Sequence, residues 1–291
     1  MKNSVIILAI CILALAISLT TSNTCIAQQT ASTLKSKGYA DVNGIKMYYE
    51  IHGEGEPIVL LHGAYMTIQF NWSQLLPELA KTHQVIAFEL QGHGHTALGN
   101  RPYAYKTLAT DVAEALKFLK ISKAHIAGYS FGGTVAYQLA IQKPALLKSL
   151  IIISSTYKFT GWQTDVQQIL KDMKPEYLAD STLKAEYAAA APDSTQFMPF
   201  LRRLVAFNAT AYNLGDDQIR RLDMPVLLIA GDNDGIDKPT LFETYKALGG
   251  GVLAEMAGFP KSQLAILPGQ SHGSLVMEPA GIYQVMKSFL K

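Results

Sequence analysis

The chain has 291 residues, 49% of them hydrophobic and 16% charged, with a formal net charge of +2 at pH 7. That length suits one large domain with an insertion and a sizeable core. No Lys/Arg run stands out, Arg202-Arg203 being only a pair, so neither nucleic acid nor an anionic membrane surface is expected as a partner.

The N-terminus reads as an address. Lys2 supplies a weakly positive start, Val5 to Leu19 is almost unbroken apolar sequence, and polar "TTSNT" leads to "CIA". This is the layout of a secretory signal peptide cut after Ala27, with an uncleaved anchor as the alternative. The apolar run falls short of the roughly 20 residues a membrane span needs, so no stable insertion is expected after cleavage. An exported protein, periplasmic or secreted, is the expectation. Both cysteines, Cys11 and Cys25, leave with residues 1–27, which excludes disulfides, cysteine hydrolase chemistry and thiolate–metal sites from the mature chain. "NWS" at 71–73 and "NAT" at 208–210 are glycosylation acceptors in a eukaryotic secretory pathway only.

Residues 28–37 are polar and expected to be a flexible lead-in. "YADVNGIKMYYEIHG" predicts a hairpin turning at Asn43-Gly44. Compact apolar runs follow at 58–61, 85–90, 125–129, 149–154, 226–231 and 264–269. Helical spacing lies between them at 72–80, 106–120, 131–143 and 240–247, and a last helix is predicted over 275–290. Runs that are apolar throughout predict strands covered on both faces, hence an α/β fold with a mostly parallel sheet flanked by helices. No strand candidate occurs within 157–222, which is broken by Pro175, Pro192 and Pro199 and rich in aromatic residues. It is expected to be a helical cap over the carboxyl end of the sheet, dividing the core into 38–156 and 223–291.

Within "HIAGYSFGGTVAYQLA" (125–140), an apolar strand gives way to a helix at Ser130, with glycines at 128, 132 and 133. Small neighbours let the two elements meet at a sharp corner, leaving the serine hydroxyl projecting at the helix N-terminus. A serine nucleophile needs a base, and the base needs an acid to hold its tautomer. His272, in "LPGQSHGSL" after the last strand candidate, is the candidate base. The acid is expected after another strand, where "VLLIAGDNDGI" offers Asp232 and Asp234, which local physics does not separate. After "IVLL", His62-Gly63-Ala64 places the Ala64 amide where it can pair with that of Phe131 as an oxyanion hole. No metal or cofactor is expected. The His93/His95 pair has no matching ligand cluster, and D-N-D-G lacks the later acidic residues of a calcium loop.

These pieces, "LLHGAY", "QGHGHT", "GYSFGG", "GDNDGI" and "GQSHG", resemble in order and spacing the α/β-hydrolases of the capped esterase, lactonase and haloperoxidase-like group, over residues 38–291. The resemblance implies a nucleophile, acid and base in the order Ser130, Asp234, His272, the second aspartate of G-D-x-D being favoured. It implies hydrolysis of a small-molecule carboxylic ester or lactone through an acyl-enzyme. The family often carries D-x-R-G-H-G where this chain has Glu89-Leu90-Gln91-Gly92-His93-Gly94, so an arginine of usually structural role is missing. Ser130 argues against the similar epoxide hydrolases and haloalkane dehalogenases, which use aspartate at the corner. Gly273 after the histidine argues against C–C bond hydrolases, and Ala64-Tyr65 after His-Gly against perhydrolases. Tyr65, Trp162, Phe197, Met198 and Phe200 are candidate substrate contacts, and Arg202 or Arg203 a candidate receiver for a substrate carboxylate.

Overall fold

A computed structural model describes residues 33–291; the expected signal peptide lies outside the described residues. Eight strands form one sheet in the order β1-β2-β4-β3-β5-β6-β7-β8. They are β1 (Leu34–Val42), β2 (Ile45–His52), β3 (Glu56–Leu61), β4 (His83–Phe88), β5 (Ala124–Tyr129), β6 (Leu147–Ile153), β7 (Val226–Asn233) and β8 (Gln263–Ser271). β1–β2 and β2–β4 pair antiparallel, and all other neighbours pair parallel. The helices are α1 (Ile68–Trp72), α2 (Leu75–Leu79), α3 (Tyr105–Phe118), α4 (Phe131–Gln142), α5 (Thr164–Asp172), α6 (Thr182–Ala190), α7 (Phe197–Asn208), α8 (Asp216–Arg220), α9 (Lys238–Ala247), α10 (Ala254–Ala257), α11 (Ser274–Met277) and α12 (Ala280–Phe289). Among the described residues no helix is long and apolar enough to cross a membrane.

Alternate residues of the apolar strands feed two separate cores. Val59, Leu61, Ile126, Ile152 and Leu228 face α3, α4 and the inserted helices, whereas Ile58, Leu60, Ala127, Ile151 and Ile229 face α1, α2 and α12. Both faces being covered is why these runs carry no polar alternation. The strand order turns back between β3 and β5, and such a switch point opens a crevice at the strands' carboxyl ends.

Three details depart from the sequence reading. Residues 34–37 are not lead-in but the start of β1, paired with β2. Their polarity reflects an exposed edge strand rather than a linker. The helix expected at 72–80 is two short helices, α1 and α2. The last helix is broken into α11 and α12 at Glu278-Pro279, because the residue before proline is pushed out of helical geometry.

α5 to α8 lie between β6 and β7. The neck of this insertion is stitched by a Lys158–Asn213 bridge, with the Phe159 amide bonded to the Tyr212 carbonyl at 2.8 Å and the Leu214 amide to the Tyr157 carbonyl at 3.0 Å. Gln91, where the family often carries arginine, is fully engaged in this chain. The Gln91 side-chain amide donates to the carbonyls of Leu98 (2.7 Å) and Arg101 (2.9 Å), while the Arg101 guanidinium pairs with buried Asp111 at 2.6 Å and also reaches Gln91. Next to it, buried Glu89 accepts from the His95 amide (2.6 Å) and from His95 Nδ1 (2.9 Å).

The corner between β5 and α4 tolerates only glycine at two positions. A Cβ on Gly132 would lie 2.3 Å from the Leu61 carbonyl oxygen and 2.5 Å from that of His62, and one on Gly128 2.3 Å from the Gly132 oxygen. All are backbone atoms that cannot swing aside. Gly132→Ala is therefore expected to cost about 1–3 kcal/mol of stability, read as a fall in urea midpoint, and an unchanged midpoint would contradict this packing. The Glu89 bond holds the His95 imidazolium above its ordinary pKa of 6.5. The stabilisation is then complete below about pH 6.5 and lost as pH rises through the higher folded value. The Tm advantage of wild type over His95→Asn should accordingly shrink from about pH 6 to about pH 9; a constant difference would count against it.

Candidate active site

Ser130 sits between β5 and α4 with φ +50° and ψ −118°, a strained backbone for a residue with a Cβ. Its amide bonds the Ile153 carbonyl at 3.0 Å, continuing the β5–β6 ladder one residue past the strand, and its own carbonyl accepts from the Gly133 amide at 2.9 Å. The Ser155 hydroxyl donates to the same carbonyl at 2.6 Å. The corner is thus held through its backbone, leaving the Ser130 side chain free of structural duties.

The structure brings Ser130, His272 and Asp234 together. The His272 ring places Nε2 3.0 Å from Ser130 Oγ and Nδ1 3.0 Å from Asp234 Oδ1. A carboxylate accepts, so Nδ1 carries the hydrogen and Nε2 is left to accept from the serine. Asp234 is buried while the His272 ring is about one-third exposed, 35%. Burial by itself would raise the Asp234 pKa, but the bond and charge of His272, with a bond from Ser154, outweigh it and hold the carboxyl below its ordinary value. Asp232 is the other candidate acid, and it is turned to solvent. Its Oδ1 accepts from the Gln270 amide at 3.1 Å, tying β7 to β8. The two aspartates, two residues apart on an extended strand end, therefore have separate duties.

The loops that carry these residues are tied down from several directions. The Tyr129 hydroxyl donates to the His272 carbonyl at 2.8 Å. Trp162 bridges Ile236, the Gln163 amide bonds the Gly235 carbonyl at 2.8 Å, and the Asp237 amide bonds the Gly161 carbonyl at 2.9 Å. The first residues of the insertion thus brace the loop that bears Asp234.

After β3, the amides around Ala64 are almost all engaged. Gly63 donates to the Asn71 side chain at 2.7 Å and Tyr65 to His93 Nε2 at 3.3 Å. Among the described residues, no hydrogen bond uses the amides of Ala64 or Phe131. The loop is shaped by two buried histidines. His62 Nδ1 donates to the Gly63 carbonyl (2.8 Å) while its Nε2 accepts from the Leu90 amide (3.0 Å). His93 Nδ1 donates to the Gln91 carbonyl at 3.0 Å. Burial pushes both pKa values down, that of His93 well down, so the two rings are neutral props. Among the described residues no three His, Cys, Asp or Glu side chains cluster as a metal site.

Of the five expected substrate contacts, Tyr65, Phe197 and Phe200 line one cleft together with Met66, His93 and Glu186. Its cavity volume is about 20 Å³, little more than room for a water. Burial raises the Glu186 carboxyl pKa. Trp162 and Met198 are not on that lining. The Trp162 ring stands edge-on to His272 at 5.5 Å, its indole N–H donating to the Tyr212 hydroxyl. Met198 packs against the core, since successive helix residues diverge by about 100°. Arg203 donates to the Gly99 carbonyl at 2.6 Å, joining insertion to core, and Arg202 is exposed. Asn71, in the sequon "NWS", is buried and engaged with Gly63, which excludes a glycan in the folded protein. His52 is buried between Thr33 and Glu50. Sequence reasoning passed over Ser154, whose hydroxyl touches both Asp234 and His272. The available signal was a serine closing an apolar strand at the same sheet end as Ser130.

A model of the alpha/beta hydrolase family matches residues 58–285. A relative from Azorhizobium caulinodans, named provisionally as the carbamate hydrolase RutD, is 24% identical over 86% of this chain and 97% of its own. The pimeloyl-[acyl-carrier protein] methyl ester esterase of Photobacterium profundum is 27% identical over 84% of this chain and 98% of its own. Among solved structures, a carboxylesterase from the thaumarchaeon Nitrososphaera gargenis superposes with a TM-score of 0.68 at 22% identity, covering 88% of this chain and 97% of that one. With three quarters of its length matched and the eight-stranded, mostly parallel sheet in place, the chain belongs to the α/β-hydrolase family and is a hydrolase of that type.

Proposed function

We propose that the protein is an exported serine hydrolase that cleaves small carboxylic esters or lactones with Ser130 as nucleophile, His272 as base and Asp234 as the acid. The observation that carries this reading is the Ser130 Oγ–His272 Nε2 contact of 3.0 Å, backed by the 3.0 Å contact from Nδ1 to a buried carboxylate. A serine hydroxyl is inert at neutral pH without such a base. As Ser130 Oγ attacks the ester carbonyl, its proton passes to Nε2, and Asp234 stabilises the imidazolium without taking the proton itself. The free amides of Ala64 and Phe131 receive the oxyanion, the latter at the N-terminus of α4, where helical amides favour negative charge. The imidazolium then gives its proton to the departing alcohol. Water, deprotonated by the same ring, releases the acid from Ser130.

The methyl ester esterase among the relatives supports an ester over an amide. Export rests on the residues up to Ala27, and would appear as a mature N-terminus at Gln28 in intact-mass measurement of protein recovered outside the cytoplasm.

Ser130→Ala is expected to abolish hydrolysis of short p-nitrophenyl esters and labelling by a fluorophosphonate probe. Undiminished turnover in a preparation free of other esterases would refute the assignment. Asp234→Asn should keep the fold yet lower kcat by about 10⁴, the effect of presenting the wrong imidazole tautomer. Retention of most activity would move the acid elsewhere.

A further inference from the structure

Ser154 follows β6 as Ser130 follows β5, and its amide bonds the Ile229 carbonyl at 2.7 Å. The side chain is wholly buried, so it cannot meet a substrate. Its φ is +51°, the left-handed region that favours glycine, and a serine held there carries a local backbone cost. Such strain persists where surrounding structure enforces it, and here the enforcing contacts are polar. The hydroxyl donates to Asp234 Oδ2, and its oxygen lies 2.5 Å from His272 Nδ1.

We infer that Ser154 is a positioning residue for the proposed hydrolysis, its hydroxyl locking the Asp234 carboxylate and the His272 imidazole into their reacting alignment; this rests on the serine-hydrolase reading. Asp234 uses Oδ1 to accept from His272, which leaves Oδ2 buried and in need of a donor. Among the described residues Ser154 is that donor, since Lys238 reaches only the Asp234 backbone carbonyl. With its hydrogen committed to the carboxylate, the Ser154 oxygen turns its lone pairs toward Nδ1–H, which it shares with Oδ1. The hydroxyl dipole then lies with its positive end on the carboxylate and its negative end on the imidazole. It favours the charge-separated pair that forms when Nε2 takes the Ser130 proton. Ser154 neither gains nor loses a proton in that step; the Nδ1 hydrogen stays in place and Asp234 stays ionised.

The test compares Ser154→Ala and Ser154→Gly with wild type and Ser130→Ala, measuring Tm, kcat and KM on p-nitrophenyl butyrate across the acid limb of the pH profile. Both Ser154 variants should lose about tenfold to a hundredfold in kcat, the worth of a hydrogen bond to a charged group, with KM changed less than about twofold. Their acid limbs should move to lower pH, because the imidazolium has lost an acceptor. Ser154→Gly should be the more stable of the two, since it relieves the positive φ, yet no more active. Activity that follows Tm, a glycine variant with wild-type kcat, or an unmoved acid limb would overturn the inference. Failure of both variants to fold would assign the hydroxyl to structure and overturn it too. Full activity in Ser130→Ala would instead remove the serine-hydrolase reading itself.

Discussion

The contact between His272 Nδ1 and the buried Asp234 carboxylate is the constraint around which the rest of the molecule is arranged. A carboxylate removed from water is costly unless its lone pairs are met by donors and its charge by a partner. Both needs are filled from loops far away in the chain, one after β8 and one after β6. The surrounding bonds serve to keep those loops in register. Tyr129 grips the His272 carbonyl, Asp232 clips β7 to β8, and residues 161–163 hold the 235–237 turn. The insertion is therefore continuous with the loop that bears Asp234, Trp162 touching both Ile236 and the His272 ring.

Charge is distributed unevenly about Ser130. On one side lies an ionisable relay of carboxylate and imidazole. On the other lie two free amides and the rings of His62 and His93, both held toward the uncharged form by burial. Fixed dipoles aimed at a site cost nothing to reorganise when charge develops there. The engaged amides of Gly63 and Tyr65 bracket the free amide of Ala64, so the loop spends its other donors on holding shape.

Where the D-x-R-G-H-G pattern has arginine, this chain places Gln91 in a closed polar network. Gln91 supplies amide donors to the 98–101 loop, and Arg101 returns a guanidinium from that same loop to Asp111. Glu89 keeps its place under Gly94, where a Cβ would collide with its carboxylate. The network's polar groups are met by neighbours in space that lie up to about twenty residues apart in the chain.

Much of this was readable in the amino-acid order. Local patterns such as unbroken apolar runs, the Asn43-Gly44 turn and the small residues about Ser130 depend on neighbours in the chain, so they announce the parallel sheet, the hairpin and the corner before any folding is known. The order of Ser130, Asp234 and His272 was legible through resemblance, but the choice between Asp232 and Asp234 became physical only when β7 met β8 and turned one side chain out and the other in. Long-range packing alone decided that Trp162 stands against His272 instead of lining the cleft with Phe200, and that Asn71 is buried rather than displayed. It also decided that Ser154, an unremarked end to an apolar run, lies between the Asp234 carboxylate and the His272 imidazole. Local sequence specifies backbone preference; which polar side chains share a buried space is set by contacts across 38 to 142 residues of chain, where periodicity carries no information.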